Sequence, residues 1–304
     1  MDFILSAYTD AGISRANNQD SLCVRRATLS SGGEIMMAAV CDGMGGLKKG
    51  ELASAATVES FGKWFDDTMP QLPHLCAEDF HEIRRQWEKL IRNIHNRLSA
   101  YGRRTGTRLG TTLSALLAYN DRYLSATVGD SRIYEVNDEV RQLTRDQSLV
   151  ELEIEAGRIT EDEARHHPQR NILLQCIGDD PPVVPAFTEG RLLGGAIYLI
   201  CSDGFVHEVP KAELAEKMDP LCLHTKEKIS EAIVSLVEVC KERGEQDNIT
   251  VVAFKAAESQ YGQAKKNLFS NLLRKLRADH SEEKSVLVTL VETAMVVHTD
   301  ERIP

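Results

Sequence analysis

Five aspartates, Asp20, Asp42, Asp130, Asp203 and Asp247, stand where a short turn meets an apolar run. Asp42 follows the run Ile35 to Cys41, Asp203 follows Ala196 to Cys201, and glycine comes directly after both. A carboxylate at the end of a buried strand, next to a backbone that can approach closely, is suited to holding a ligand. Asp130 repeats the arrangement after Tyr123 to Val128, and Asp247 comes just before Ile249 to Phe254. Carboxylates converging at strand ends repel one another unless a proton or cation compensates them. Hard divalent ions with oxygen ligands are the natural compensators. The residues read as those of a carboxylate-held metal enzyme.

The elements that must position them are legible from periodicity. Strands are expected at 3–9, 21–26 and 34–41, around the turn-rich segment 10–20. Helical spacing runs through 51–68 and 79–101, where Phe80, Ile83, Trp87, Leu90, Ile91, Ile94 and Leu98 mark one buried face. Leu113 to Ala118, Tyr123 to Val128 and Ile133 to Val136 look like consecutive antiparallel strands, with turn chemistry at Asn120-Asp121 and Gly129-Asp130. Residues 148–182 are charged and read as a flap-like excursion. It holds one short helix ended by Gly157 and a second opened by a Thr160/Glu163 capping box. Strands resume at 183–187 and 196–201, helices follow at 211–217 and 225–242, and 249–254 is a last strand. This order predicts an α+β fold of two packed antiparallel sheets with helices outside.

Composition narrows the function classes. A net charge of −10 over 304 residues argues against a nucleic-acid surface. The seven cysteines are scattered, lack a C-x-x-C pair and lie mostly in apolar runs, as reduced core residues do. No signal peptide is visible, and no apolar run approaches the ~20 residues that span a bilayer. A cytoplasmic location is the expectation. After residue 257 the charges balance, so the acidic excess belongs to 1–257. Within the tail, 258–304, residues 264–277 form an amphipathic basic helix pattern, expected to dock back onto the acidic domain, with a partner or membrane-surface helix as the alternative.

Seven segments carry a family resemblance: D-A-G-I-S-R-A-N-N-Q-D (10–20), D-G-M-G-G (42–46), L-G-T-T (109–112), G-D-S-R (129–132), L-T-R-D-Q-S-L (143–149), C-S-D-G (201–204) and D-N (247–248). In this order and spacing the chain resembles the metal-dependent Ser/Thr protein phosphatases of type 2C, in their bacterial form, over roughly residues 5–255. The resemblance implies a four-layer α-β-β-α sandwich with a binuclear Mn²⁺ or Mg²⁺ centre at one end. It implies that Asp42 bridges the two ions, that the Gly43 carbonyl serves the second, and that Asp203 and Asp247 hold the first. Asp20 falls on the second-ion side, Asp130 on a third and weaker ion, and Arg15 on the substrate phosphate. Gln19 stands where many animal members have glutamate. Met44 stands where they have a histidine proposed as general acid, and methionine cannot donate a proton. His166-His167, before Pro168, reads as a solvated helix end.

The reading is a phosphatase acting on phosphoserine and phosphothreonine of proteins, through a metal-activated water and opposite a Ser/Thr kinase. Arg15 and Asp42 are its central residues. The rival from another class is a non-catalytic phosphoprotein-binding scaffold on the same fold; a second rival keeps the chemistry but takes a small phosphorylated metabolite.

Overall fold

The computed structural model describes residues 3–28, 33–44, 49–72, 77–179, 182–256, 289–299 and 303. Strand β3 (Glu34–Cys41) shows how its layers arise, because every one of its residues is buried. Ile35, Met37, Ala39 and Cys41 join a core with helical residues, whereas Met36, Ala38 and Val40 join a core shared by two sheets. Alternate side chains leave a strand on opposite faces, so a strand apolar on both must be covered twice.

The covering is complete on both sides. A six-stranded antiparallel sheet runs β11 (Thr289–Val296), β2 (Ser21–Thr28), β3, β4 (Leu113–Tyr119), β5 (Arg122–Val128) and β8 (Ala186–Arg191). A five-stranded antiparallel sheet runs β1 (Phe3–Asp10), β10 (Ile249–Ala256), β9 (Ile197–Cys201), β6 (Arg132–Val136) and β7 (Val140–Gln142). Between them lie Leu22, Val24, Ile133, Ile200 and Val252, together with Tyr198 stacked on Phe254 at 5.0 Å. Helices α1 (Gly50–Thr68) and α2 (Ala77–Thr105) cover the six-stranded sheet through Phe61, Phe65, Trp87 and Ile91. Helices α5 (Asp203–Val206), α6 (Lys211–Lys217) and α7 (Lys226–Glu242) cover the other through Phe205, Leu214, Ile233 and Leu236. The expected α+β, four-layer sandwich is the fold observed.

The excursion after β7 holds α3 (Leu149–Glu155), capped by Ser148, and α4 (Glu161–Arg165), whose capping box closes as Thr160 and Glu163 predict. His166 is the exposed C-cap of α4, the solvated helix end expected there.

β7 has no counterpart in the periodicity reading, and four further elements depart from it. β6 follows β5 in sequence yet pairs with β9 in the opposite sheet, so Gly129 to Ser131 carry the chain across the sandwich. β8 starts at Ala186 and not at 183, because Pro182 and Pro185 have no N–H to give a ladder. α5 is a single turn, too short to register as a period. Residues 289–296, within the segment read as a tail, return as β11 on the edge of β2. The amphipathic pattern at 264–277 lies outside the described residues.

Candidate metal centre

Strand register brings the five aspartates to one end of the sandwich. Ser21 pairs with Cys41, Leu113 with Val128, Asp10 with Ile249, and Cys201 with both Arg132 and Val251. Asp20, Asp42, Asp130, Asp203 and Asp247 each lie one or two residues beyond those paired ends. Asp20 and Asp42 hang from the six-stranded sheet, Asp203 and Asp247 from the five-stranded one, and Asp130 from the crossover.

Their environment leaves much of the carboxylate charge uncompensated. Asp20 is fully buried, and neither of its carboxylate oxygens has a hydrogen-bond partner; one oxygen of Asp203 shares that state. Burial pushes the Asp20 carboxyl up to about 7, with the negative charges of Asp203 and Asp247 adding to the rise. The hydroxyls of Thr250 and Ser202 pull the other way, although neither is aligned as a well-formed hydrogen bond. Burial raises Asp42 well above the carboxylate range, and Asp20, Asp203 and Asp247 raise it further. Asp247 is raised by burial and by Asp203, and is partly relieved by Arg15. Asp130 is pushed up to about 8 by burial and then by Asp203 and Asp146. Orphaned buried oxygens and mutually raised carboxyls fit divalent cations held by oxygen. Among the described residues no three acidic, His or Cys side chains converge tightly enough to enclose one ion alone. An ion held there would draw the rest of its shell from backbone carbonyl and water, as magnesium-like ions do.

The backbone around the centre is built for close approach. A side chain on Gly43 would place its Cβ 2.4 Å from the Gln19 carbonyl and 2.5 Å from Gly50, so only glycine lets the chain pass there. Gly12, at φ +73°, lies equally tight against the Asp247 carbonyl, 2.3 Å from where a Cβ would stand. The L-G-T-T segment proves to be the clamp on Asp42. The Thr112 hydroxyl accepts from the Asp42 N–H at 2.9 Å, while the Asp42 carbonyl accepts from Thr112 N–H at 2.9 Å and from the Thr111 hydroxyl at 2.8 Å. Thr112 also meets the Ser131 hydroxyl at 2.6 Å, linking Asp42 to the crossover beside Asp130. Asn248 ties the first loop to β10, accepting from Gln19 N–H and donating to the carbonyls of Ala11 and Asn17.

Arg15 is exposed, and its guanidinium pairs with Asp247 at 2.9 Å. Arg132 makes a bidentate pair with Asp146 beneath the excursion. Gln147 holds the crossover by accepting from Gly129 N–H at 3.0 Å. Asp130 and Asp203 share the rim of a cavity of about 300 Å³ that also reaches Arg132, Asp146, Arg170 and His207.

Three groups near the centre were not singled out from the sequence. Glu51 accepts from the Gln19 side chain at 2.8 Å, so a carboxylate borne by α1 stands beside the glutamine. His207 lies one helical turn after Asp203, its Nε2 3.8 Å from Asp203 and its Nδ1 3.3 Å from the buried Glu245. Those two carboxylates raise the His207 imidazole against the opposing effect of burial, and His207 in turn helps lower Glu245. The i, i+4 spacing of Asp203 and His207 was visible, but only a helix at 203–206 gives it meaning.

The sequence pattern of the family described as Protein phosphatase 2C matches residues 12–238, and the chain belongs to that family. Protein phosphatase PhpP of Streptococcus pneumoniae is 32% identical over 254 residues, covering 81% of this chain and 95% of that protein. Serine/threonine protein phosphatase PstP of Mycobacterium tuberculosis is 30% identical over 259 residues, covering 85% of this chain but only 46% of that protein. The chain thus spans about half the length of the mycobacterial relative. The solved structure of the Streptococcus agalactiae serine/threonine phosphatase superposes with a TM-score of 0.71 at 31% identity, over 84% of this chain and all 100% of the other. The catalytic domain of PstP, solved in complex with two manganese ions, superposes with a TM-score of 0.66 at 27% identity, over 84% and 100%.

Proposed function

We propose that this chain is a metal-dependent phosphoprotein phosphatase that hydrolyses phosphoserine and phosphothreonine. The observation that carries the reading is the gathering of five carboxylates, with Asp20 buried and unpartnered, at one end of the sandwich. Manganese or magnesium is the proposed cofactor, since each accepts an all-oxygen shell completed by water.

Asp42 would be the carboxylate shared by two ions, and the hydrogen bonds from Thr111 and Thr112 that hold its backbone support that role. Asp203 and Asp247 would hold one ion, and the Gly43 carbonyl with Asp20 the other. Asp130 would serve a third, weaker one. When bound, the ions supply an acidified water for in-line attack and neutralise the phosphoryl charge. Arg15 offers a planar fork to the substrate phosphate, exchanging Asp247 for phosphate oxygens as substrate arrives. Glu245, Asn248 and the threonine clamp keep the carboxylates in register while this exchange occurs. Met44 cannot itself protonate the departing alkoxide, so that proton would come from bound water or another group.

Residues 1–257 form the proposed catalytic unit, with 148–182 as the flap beside the site. Phosphorylated proteins are the proposed substrates, which places the enzyme opposite a Ser/Thr kinase. A cytoplasmic setting agrees with the described cysteines, all of which are unpaired and most of which are buried. No described helix is long and apolar enough to cross a membrane. Manganese-dependent release of phosphate from phosphoserine and phosphothreonine peptides tests the reading. Phosphopeptide binding without turnover at any manganese concentration would favour a scaffold instead.

A further inference from the structure

Asp203 and Asp247 are proposed to share one ion, yet they descend from different elements, α5 and the lead into β10. Something must set the distance between them. Glu245 is 3% exposed, and its two oxygens do different things. Oε1 accepts from the backbone N–H of Gln246 at 2.7 Å and of Asp247 at 2.9 Å. Oε2 lies 3.3 Å from His207 Nδ1, close enough to pair although not aligned as a hydrogen bond. The opposite ring nitrogen, Nε2, faces Asp203 Oδ2 at 3.8 Å. The His207 backbone N–H also donates to the Asp203 carbonyl at 2.9 Å, fixing the ring one turn above the carboxylate.

We infer that Glu245 and His207 form a positioning bridge that holds the Asp203 and Asp247 carboxylates at the spacing one divalent cation requires. The inference rests on the metal-centre reading above. One end of the bridge grips the amide of Asp247, and the other abuts the side chain of Asp203. His207 acts in this arrangement as a positioning residue, through Asp203 and Glu245. Groups that orient metal ligands in this indirect way are worth roughly 10–100-fold in metal affinity.

The test is manganese affinity of the full chain, measured by titration calorimetry and by the paramagnetic resonance of free Mn²⁺. The variants are His207→Ala, Glu245→Gln and the double substitution, with Asp203→Asn as reference. Glu245→Gln retains an oxygen to accept from the two backbone amides. Each single variant should keep the wild-type circular dichroism and raise the Kd of the affected ion by about tenfold or more. The double variant should bind no more than about twofold worse than the weaker single, because two parts of one bridge do not act additively. At saturating manganese, turnover should recover with KM for an aryl phosphate unchanged. Single variants that fold and bind manganese within about twofold of wild type, while Asp203→Asn binds poorly, overturn the bridge and leave the metal centre standing. Effects that multiply in the double variant also overturn it, since the residues then act separately. Wild-type affinity in Asp203→Asn would remove the metal-centre reading and the bridge with it. If His207→Ala does not fold, His207→Gln and Glu245→Gln carry the same test.

Discussion

At the scale of single residues, each carboxylate has a separable part. Asp203→Asn removes a charge that the proposed centre needs. Turnover should fall by at least about 10²-fold, the scale for losing one electrostatic stabiliser. Metal-free thermal stability should stay level or rise, since a repulsion acting on Asp20 and Asp42 is relieved. Near-normal manganese-stimulated activity would sink the assignment of Asp203. Asp130 sits with Asp146, Arg132 and His207 at the cavity, and the carboxylates that act on it most strongly are Asp203 and Asp146. Asp130→Asn should lower activity while metal-soaked crystals retain two ions beside Asp42 and lose any third. Disappearance of all the ions would show that Asp130 has another role. Met44 makes the leaving group matter. Aryl phosphates should react readily, and the rate should decline as leaving-group pKa rises. A flat dependence with chemistry rate-limiting would reveal a proton donor elsewhere.

At the scale of elements, β11 makes the sharpest prediction. It pairs with β2 from Thr28 to Leu22, and the chain beyond it places the Ile303 carbonyl as acceptor for Arg97 of α2 at 3.1 Å. Ending the chain after residue 258 would strip this cover and expose a row of unpaired backbone groups on β2. Melting temperature should drop and aggregation on warming should increase. Hydrolysis per folded molecule should persist, because β3 still pairs with the other edge of β2 and holds Asp20 in place. A truncated chain that folds, binds manganese and is inactive would instead place the C-terminal segment in the active site. The same strand shows where the sequence was legible and where it was not. Asp42-Gly43 and Asp203-Gly204 announce themselves because carboxylate, turn and apolar strand are neighbours in the chain. β11 and the crossing of β6 do not, since periodicity reports that a strand exists and not which edge it will find. Glu245 and Glu51 escaped for the same reason: each acquires its role from a residue brought to it by folding, His207 and Gln19 respectively.

At the scale of the whole molecule, the centre couples stability to pH. Asp20 near 7 and Asp130 near 8 stand far above the ~3.9 of an unfolded chain. The folded, metal-free protein therefore keeps protons that the unfolded chain has released. Its stability from these groups is full below about pH 4 and is lost as pH rises through about 7 to 8. Manganese takes the place of those protons, and its affinity grows as the carboxyls ionise. The gap in melting temperature with and without manganese should accordingly widen between about pH 5.5 and pH 8. A constant gap would mean that the buried aspartates do not titrate with the metal. The division of the carboxylates between two sheets has one more consequence. Asp20 and Asp42 ride on one slab, Asp203 and Asp247 on the other, and the layer around Tyr198 and Phe254 is the spacer between them. The molecule is in effect a calliper, its jaws at the metal end and its gauge block in the core. A change of a few methyl groups in that spacer, far from any ligand, would be read at the jaws as a change of gap. Ions of different radius would then be favoured in turn, and metal preference at the proposed centre would depend partly on hydrophobic volume.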